Sequence, residues 1–375
     1  MKTIKDLNLQ NKSIIIRLDY NVPIESGKIK DSSKIEKTIP TLKYLLKNNC
    51  KIIILSHLGR VKTQEDKEKN SLRIVAKKLA NLIQHEVKFI DICYGDEVKT
   101  IVTNAKNGEI ILLENTRFMD LDNKRESNND PELSKYWASL ADVFINDAFA
   151  SLHRSHASTA GIAKYLPSGI GFLVENELKN LDILINNTPH PFTVFMGGAK
   201  VDDKLKIITN ILPRCDYLLL GGGIANSFLK AKGADIGNSL ATNDDAILNE
   251  IKKLMEMYPR KIVLPIDFTI DDGCIYDIGI KSIELYKRYI NNSAIIFVNG
   301  TCGKFEDSRF REGTESLFKV LKQSKRTVII GGGDTVNAVN KFGYEQSFDF
   351  LSSGGGATLE YIANKKLPAL EWMEK

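Results

Sequence analysis

The sequence lacks any pattern of cysteines that would build a disulfide framework or a structural zinc site. Its five cysteines, Cys50, Cys93, Cys215, Cys274 and Cys302, are scattered, odd in number, and form no C-x-x-C pair. Disulfide-rich secreted domains and zinc modules place cysteines in pairs at short spacings. The pattern therefore favours a reducing compartment.

Long hydrophobic runs and a targeting segment are also lacking. The first 13 residues, MKTIKDLNLQNKS, contain no apolar stretch and no small-residue cleavage site. No run elsewhere approaches the roughly 20 apolar residues that a helix needs to span a bilayer. These absences predict a cytoplasmic protein without a membrane partner.

Charge of neither sign is strongly in excess. The 375 residues carry 52 Lys and Arg against 47 Asp and Glu, a formal net charge of +5. A solvated, lysine-rich surface accounts for most of this balance, and a small anionic substrate or nucleic acid is the alternative. The length exceeds what one hydrophobic core usually organises, so we expect two domains.

What the sequence does contain is a repeated series of short apolar runs, turns and helical patterns. The runs are continuous rather than alternating, as in strands buried on both faces of a parallel sheet. They cover residues 13–18, 51–55, 87–90, 109–113, 142–145, 192–196, 217–220, 261–264, 294–298, 327–330 and 348–351. Apolar residues at helical spacing mark 40–47, 71–83 and 244–257. The series predicts an α/β fold of doubly wound parallel sheets.

One long helical pattern lies near the middle of the chain. Residues 171–187 place Leu173, Leu178, Leu181 and Leu184 on one stripe, and prolines follow at 189 and 191. We therefore place the domain junction there. The predicted organisation is an N-terminal domain over 1–170, an interdomain helix or hinge over 171–187, a C-terminal domain over 188–364 and a packed tail over 365–375.

In the first half, the residues directly after the predicted strands are polar and basic. Ligands of doubly wound sheets bind beyond the carboxyl ends of the strands. Arg60, Arg117 and Arg154 stand at such ends, together with His57 and His153. An ion pair with a neighbouring carboxylate explains any one arginine as well as a ligand does. Polar and basic residues follow four predicted strands, at RLDYNVP (17–23), SHLGR (56–60), ENTRF (114–118) and NDAFASLHRSH (146–156). Together these strand ends predict a site for a phosphate or carboxylate, which guanidinium groups bind bidentately.

In the second half, the predicted strands end in glycine. The loops are GGAK (197–200), GGG (221–223), NGTCG (299–303), GGGDT (331–335) and GGG (354–356). Glycine lets a ligand approach main-chain N–H groups, and a helix N-terminus favours an anion. A tight turn explains any single loop, whereas the set favours a polyphosphate.

Neither standard nucleotide fingerprint is present. GGGIAN (221–226) has Asn226 where the pattern G-x-G-x-x-G requires its last glycine. The pattern G-x-x-x-x-G-K-[ST] does not occur in the sequence. Lys200 and Lys204 are four residues apart, which predicts one face of a helix that opens after the glycines. Asp334, directly after a glycine loop, is a candidate Mg²⁺ ligand. No side chain is obviously placed as a strong base, which suits phosphoryl transfer.

These segments, in this order and spacing, resemble the phosphoglycerate kinase family over essentially the whole chain. The matching segments are RLDYNVP, LSHLGR, LLENTRF, ADVFINDAFASLHRSHAST, GGAKVDDKL, LLLGGGIANSFLKAKG, NGTCGKFED, IIGGGDT and SSGGGATLE. The resemblance implies a monomer of two Rossmann-like domains with a closing hinge. Its N-terminal domain would bind 3-phosphoglycerate, its C-terminal domain MgATP or MgADP, and its tail would return to the N-terminal domain. The reaction would be reversible phosphoryl transfer in glycolysis, with no nucleic-acid partner.

The resemblance also implies site residues. The phosphoglycerate-binding set is Asp19, Tyr20, Asn21, Lys34, His57, Leu58, Gly59, Arg60, Arg117 and Arg154. The nucleotide-binding set is Gly198, Lys200, Lys204, Gly221, Gly222, Asn299, Glu306, Gly332, Gly333, Asp334 and Thr335, with Glu306 at the ribose and Asp334 at magnesium. The catalytic residues would be Lys34, Lys200, Gly355 and Gly356.

Three segments depart from the family pattern. The motif D-x-x-R ends here in Lys34, so a lysine stands where the family has a catalytic arginine. N-G-P-M-G-V-F-E reads NGTCGKFE (299–306), and G-L-D-I-G-P reads IYDIGI (275–280). These last two segments flank the nucleoside. We therefore expect weaker discrimination between ATP and GTP, with the phosphate contacts kept.

Two other functions stay open from the sequence. A different glycine-rich α/β enzyme, such as a dehydrogenase, would explain the glycine loops, and titration with a nicotinamide cofactor would identify it. A degenerate relative that binds ligands or RNA through its basic face would explain Lys34 and the altered 299–306 segment. Retention of Lys200, Asp334 and the glycine loops argues against such decay.

Overall fold

The computed structural model describes residues 1–363 and 366–374, which divide into two compact units. Unit 1 contains residues 1–179 and the end of the chain from Lys366, and unit 2 contains Asn180–Lys365. The boundary predicted between 364 and 365, and the last residue of the predicted tail, lie outside the described residues. No helix in the described part of the chain combines the length and the apolar character needed to cross a membrane.

The first 182 residues form eight strands and seven helices. The strands are β1 (Ser13–Arg17), β2 (Ile24–Glu25), β3 (Lys28–Ile29), β4 (Lys51–Leu55), β5 (Val87–Ile90), β6 (Ile110–Leu113), β7 (Val143–Asn146) and β8 (Ser168–Ile170). The helices are α1 (Ser33–Glu36), α2 (Ile39–Lys47), α3 (Glu65–Lys69), α4 (Arg73–Ile83), α5 (Asp96–Asn104), α6 (Pro131–Ala138) and α7 (Phe172–Asp182). Short 3₁₀ turns at Thr116–Leu121 and Phe149–Ser151 and a π-helix at Ala157–Gly161 follow strands β6 and β7.

The unit 1 sheet has six parallel strands in the order β5-β6-β4-β1-β7-β8. Successive residues of a strand point to opposite faces, so a strand buried on both faces supplies two cores. Ile14 and Ile16 pack into one core cluster with residues of α2 and α4. Ile15 packs into a second cluster with residues of α5 and α6, which include the fully buried Trp137. Helices therefore cover both faces of this sheet.

Unit 2 contains the remaining strands and most of the remaining helices. The strands are β9 (Phe192–Met196), β10 (Tyr217–Leu220), β11 (Ile262–Val263), β12 (Phe268–Asp271), β13 (Cys274–Ile278), β14 (Ile295–Asn299), β15 (Thr327–Gly331) and β16 (Phe350–Leu351). The helices are α8 (Asp202–Ile211), α9 (Gly222–Ala231), α10 (Asp245–Met257), α11 (Ile280–Asn292), α12 (Glu312–Ser324), α13 (Gly333–Lys341) and α14 (Gly356–Ile362). A final helix, α15 (Pro368–Glu374), belongs to unit 1.

The unit 2 sheet is also six-stranded and parallel, in the order β11-β10-β9-β14-β15-β16. Counted along the chain without the separate β12–β13 hairpin, this order is 3-2-1-4-5-6, the Rossmann order, which reverses between β9 and β14. Unit 1 departs from that order because β6 lies between β5 and β4. The predicted fold class, two Rossmann-like doubly wound parallel sheets, is confirmed.

The helix predicted over 171–187 is shorter in the structure. Helix α7 ends at Asp182, because residues 184–186 turn back to hydrogen-bond the carbonyls of Leu181 and Asp182. The Arg214 guanidinium then binds the carbonyl of Leu184. The fully buried residues along this segment are Val174, Glu177, Leu181 and Leu184, so Leu173 and Leu178 are only half-buried.

Two short hairpins, β2–β3 and β12–β13, and strand β8 were not predicted.

Two side chains of unit 1, from α2 and from the loop after β7, accept hydrogen bonds from the backbone at the start of helix α7. The Asp147 carboxylate accepts hydrogen bonds from Val174 N at 3.0 Å and from Thr41 Oγ1 at 2.6 Å. Thr41 Oγ1 accepts in turn from Phe172 N at 3.1 Å. Burial raises the pKa of the Asp147 carboxyl to about 6, although these hydrogen bonds act in the opposite direction. This cluster joins β7, α2 and α7.

We expect Thr41→Val to lower the free energy of unfolding by about 1–3 kcal/mol, because it leaves a buried carboxylate oxygen and the Phe172 N–H without partners. Denaturant unfolding measures this loss. Thr100→Val is the matched control: this exposed threonine bonds only the carbonyl of Asp96, and its loss should change stability by less than about 0.5 kcal/mol. Equal stability of Thr41→Val and the wild type would contradict the capping role.

Candidate active site

The loops after β4, β6 and β7 bring three arginines to the carboxyl edge of the unit 1 sheet. Arg60, Arg117 and Arg154 are electrostatic neighbours, since burial and the charges of the other two arginines lower the pKa of Arg154. In residues 1–363 and 366–374, no carboxylate forms an ion pair with any of the three. The ion-pair explanation therefore fails for these arginines. An edge with this much uncompensated positive charge is suited to an anion.

Asp19 is the carboxylate nearest to this basic cluster. Its Oδ2 atom lies 2.9 Å from Lys34 Nζ, and its Oδ1 atom accepts a hydrogen bond from Asn21 N at 3.0 Å. Burial alone would raise the pKa of Asp19, but the charge of Lys34 and the hydrogen bonds from Lys34 and Asn21 lower it overall. The carboxylate is thus ionised and holds the Lys34 ammonium at the site.

The remaining predicted substrate residues arrange the loops. Asn21 Oδ1 accepts from Gly59 N at 2.9 Å, which ties the loop after β1 to the loop after β4. The side chains of Tyr20 and Leu58 are buried in the unit 1 core, so neither can be offered to a ligand. Tyr20 OH bonds Thr38 Oγ1 at 3.1 Å instead. Tyr20 and Leu58 therefore anchor the loops of the site to the unit 1 core.

Two residues near the basic cluster escaped the sequence prediction. Arg17 is the last residue of β1, and only 1% of it is exposed although it carries a charge. His156 stands beside Glu126, and burial together with the nearby arginines lowers the pKa of His156 to about 3. A charged residue that ends an apolar strand, as in IIIRL (14–18), was the available signal for Arg17.

In unit 2, the glycine loops after β9, β10 and β14 pack backbone against backbone. A Cβ atom on Gly300 would lie 2.2 Å from the carbonyl oxygen of Gly197, and one on Gly222 would lie 2.8 Å from that of Gly198. Gly198, Gly222 and Gly300 also have positive φ angles of 104°, 58° and 95°. Positive φ angles and the close approach of the loops thus require glycine at these positions, and nucleotide contacts at Gly198 and Gly222 stay a prediction.

Other glycines of the set have free space above them. No heavy atom lies within 4 Å of a Cβ built on Gly333 or Gly355. Gly333 begins α13 and Gly355 precedes α14, so the open space lies at the starts of these two helices. Between these loops and β14, Thr335 is fully buried, and its hydroxyl bonds Gly300 N at 2.6 Å and Gly331 O at 2.9 Å.

The two lysines after β9 do not share a helix face, so that prediction was wrong. Helix α8 begins only at Asp202, so Lys200 lies in the loop before it and is exposed. Lys204 is on the helix, and its Nζ atom donates to Gly197 O at 2.8 Å. Lys204 therefore stabilises the glycine loop, while Lys200 extends from it.

A pocket of about 420 Å³ lies in unit 2 beside the glycine loops. Gly198, Gly222, Glu306 and Asp334 of the predicted nucleotide set line it. The rest of its wall is largely apolar. Segments 275–280 and 299–306, which were expected at the nucleoside, form part of this wall, whereas its residues from β12 and from the loops at 240 and 265 were not predicted. The main apolar residues are Leu240, Pro265, Phe268, Ile275, Tyr276 and Ile278. A slot of this size and character fits a nucleoside.

The residues that depart from the family pattern lie in this wall. Ile275, Thr301 and Lys304 all line the pocket, and Lys304 Nζ lies 5.7 Å from the centre of the Tyr276 ring. Beneath them, the buried Asp277 carboxylate accepts from Gly313 N at 2.7 Å and from Ile278 N at 2.9 Å. Burial raises the pKa of Asp277 to about 7.

Asn299 and Asp334 complete the polar side of unit 2. Asn299 is 2% exposed and donates to Gly331 O at 2.8 Å, while its Oδ1 atom has no partner in the described residues. Asp334 is exposed in the first turn of α13. No group of three or more His, Cys, Asp or Glu side chains in the described part of the chain could hold a metal ion.

Comparison with known proteins decides between the open functions. The family model for phosphoglycerate kinase matches residues 4–365. The chain belongs to the phosphoglycerate kinase family.

Individual relatives agree with this assignment. The chain is 43% identical to phosphoglycerate kinase of Fusobacterium nucleatum and 42% identical to that of Listeria innocua, with 98–99% of each chain covered. Among solved structures, it resembles phosphoglycerate kinase of Coxiella burnetii, with a TM-score of 0.85 at 34% identity over 99% of this chain and 98% of that one. It also resembles that of Pyrococcus horikoshii, with a TM-score of 0.87 at 30% identity over 100% and 98%.

Phosphoglycerate kinases are nucleotide-dependent phosphotransferases of glycolysis, and this chain is therefore an enzyme that uses a nucleotide and phosphoglycerate. The dehydrogenase alternative is excluded by the family match. The degenerate, ligand-binding or RNA-binding alternative has no support from the relatives.

Two glycine substitutions should separate loop packing from ligand contact in this phosphoglycerate kinase. Gly300→Ala should lower the stability of unit 2 by more than about 2 kcal/mol, because the added methyl group meets Gly197 O at a strained φ. Gly333→Ala should keep or slightly raise stability, since alanine favours helix. It should nevertheless weaken ATP binding by about tenfold if phosphate approaches this backbone.

Denaturant unfolding and calorimetric titration with ATP measure the two effects. Unchanged ATP affinity in Gly333→Ala would remove this glycine from the nucleotide site.

Proposed function

We propose that unit 1 binds 3-phosphoglycerate, that unit 2 binds ATP or ADP with Mg²⁺, and that a phosphoryl group passes reversibly between them. The observation that carries this proposal is the contrast between the units. Three arginines without carboxylate partners lie at one sheet edge, and a nucleoside-sized pocket beside open helix starts lies at the other. A coupled assay with 3-phosphoglycerate and MgATP tests it, and absence of turnover would overturn it.

For the triose, Arg60, Arg117 and Arg154 would bind the phosphate and carboxylate groups by charge-assisted hydrogen bonds. His57 would add a hydrogen bond, and Asn21 and Gly59 hold the two loops in register. Lys34, held by Asp19, would face the reacting carboxylate. Since guanidinium and ammonium groups carry only donors, this site supplies charge and orientation rather than a base.

For the nucleotide, the apolar pocket would receive the base, and Glu306 would contact the ribose. The backbone of Gly332, Gly333 and the start of α13 would bind phosphates, as helix N-termini do for anions. Lys200, exposed on its loop, would follow the transferring group. The N-terminus of α14, at Gly355 and Gly356, would stabilise charge that develops during transfer.

The exposed Asp334 carboxylate fits Mg²⁺, which commonly binds nucleotides through one or two carboxylates and phosphate oxygens. When bound, the ion would neutralise phosphate charge. We further propose a cytoplasmic monomer that binds neither nucleic acid nor membranes. Domain closure stays a prediction from the family resemblance.

The first kinetic prediction concerns Lys34. Lys34→Ala should lower kcat by about 10²–10³ with little effect on KM, because it removes a donor aimed at transition-state charge. Lys34→Arg should keep or raise kcat, up to about tenfold, because a planar guanidinium binds oxygens bidentately. Lys30→Ala is the control, since Lys30 forms an exposed pair with Glu25 in the same unit. Steady-state kinetics test this prediction. A wild-type kcat in Lys34→Ala would show that Lys34 is not catalytic.

The second kinetic prediction concerns the base. We expect kcat/KM for ATP and GTP to differ by less than about tenfold, because Ile275 and Thr301 change the shape of a close-fitting apolar slot. Restoring the family residue in Ile275→Gly should raise the preference for ATP. A strong preference for ATP in the wild type would contradict this prediction.

A further inference from the structure

Arg17 lies directly behind the basic cluster of unit 1 and contacts one of its members. Its guanidinium donates through Nε to Ser158 Oγ at 2.9 Å and also bonds the carbonyl of Leu18. Its third contact joins a terminal nitrogen to His57 Nδ1 at 2.9 Å. Arg17 is 1% exposed, so water does not compete for these bonds.

The contact with His57 has only one consistent direction. A guanidinium carries five N–H donors, has no acceptor and is not deprotonated in proteins. His57 Nδ1 must therefore accept, which requires that it carry no proton. The other candidate partner, Asp19 Oδ1, is 4.0 Å from Nδ1, beyond hydrogen-bond distance. With Nδ1 as acceptor, the neutral imidazole carries its proton on Nε2.

The electrostatic surroundings of His57 agree with a neutral ring. Burial and the charges of Arg17, Arg117 and Lys34 lower its pKa well below the ordinary value, and only the Asp19 carboxylate opposes them. An imidazolium would place an Nδ1–H group against a guanidinium N–H. The ring at this position therefore stays neutral.

Ser158, which accepts the hydrogen bond from Arg17 Nε, is bound in turn to the buried carboxylate of Glu126. Glu126 is 1% exposed and accepts from Ser158 N at 3.0 Å and from Ser158 Oγ at 2.5 Å. The serine hydroxyl thus donates to Glu126 and accepts from Arg17. Glu126 also compensates the buried charge of Arg17, because its proximity raises the pKa of that guanidinium against the effect of burial.

We propose that Arg17, anchored through Ser158 to Glu126, is a positioning residue that holds His57 as the neutral Nε2–H tautomer, ready to donate to an anionic substrate. This inference rests on the proposed function in one respect, that His57 contacts 3-phosphoglycerate. The opposite tautomer would direct a nitrogen lone pair at the anion. Arg17 acts through His57 and does not itself reach the substrate.

The tautomer can be measured in the ligand-free wild-type enzyme, without any variant of the network. The chain has five histidines, so ¹⁵N-histidine labelling gives a spectrum that is simple to assign, with His57→Gln identifying the His57 signals. We expect Nδ1 to resonate as an unprotonated nitrogen and Nε2 as a protonated one at pH 7. A protonated Nδ1, in either the other tautomer or the imidazolium, overturns the inference.

Variants then test the role of the network. Ser158→Ala should shift the His57 signals towards a mixture of tautomers and raise KM for 3-phosphoglycerate by about tenfold, while KM for ATP stays unchanged. Arg17→Lys, which keeps a buried donor, should restore more of the Nε2–H form than Arg17→Met. Thr41→Val, which loses a buried hydrogen bond elsewhere in unit 1, is the control for stability alone.

The outcomes separate this inference from the proposed function. If Ser158→Ala loses stability as Thr41→Val does but keeps both the tautomer and KM, the positioning role is wrong. If the Nε2–H tautomer is found and Ser158→Ala disturbs it, the positioning of His57 is supported. Unchanged KM for 3-phosphoglycerate in His57→Gln would then remove only the proposed substrate contact.

Discussion

Within each six-stranded sheet the strands are parallel, and the rest of each unit depends on this constraint. Parallel strands end at one edge, so the loops that follow them are brought together whatever their separation in sequence. At the edge of unit 1, the loops after β4, β6 and β7 assemble positive charge. In unit 2, the loops after β9, β10 and β14 meet where the strand order reverses, and they meet so closely that only glycine fits. One architecture thus produces a basic edge in unit 1 and a glycine-rich edge in unit 2.

The elements that the sequence could predict are those with a local signal. Continuous apolar runs marked the strands because the central strands, such as β6, β7, β9 and β14, are buried on both faces. Basic or glycine residues after the strands marked the loops. Patterns that depend on tertiary contacts were misread or missed. The glycine pattern gave no sign that neighbouring backbone also requires glycine at Gly300 and Gly222. Lys200 and Lys204 looked like one helix face, but the helix begins two residues after Lys200.

Other parts of the site have no local signal at all. The family resemblance pointed to the pocket wall at 275–280 and 299–306, but its apolar residues Leu240, Pro265 and Phe268 belong to no motif, and packing brings them to the pocket. Arg17 was visible only as a charge at the end of an apolar run. Its significance depends on Ser158 and Glu126, which are distant in sequence and are brought to it by the fold. Networks of this kind are specified by topology, so a single sequence does not reveal them.

Helix α15 gives unit 1 a second, distant segment of chain. Ala369 is fully buried and donates its N–H to Leu152 O at 3.2 Å, and Lys164 lies over the Trp372 ring. Unit 2 is one uninterrupted segment, whereas unit 1 needs residues from both sides of it. During synthesis from the N-terminus, the ribosome must therefore complete all of unit 2 before unit 1 receives its last helix. The unit whose synthesis begins first is therefore the one whose synthesis is completed last.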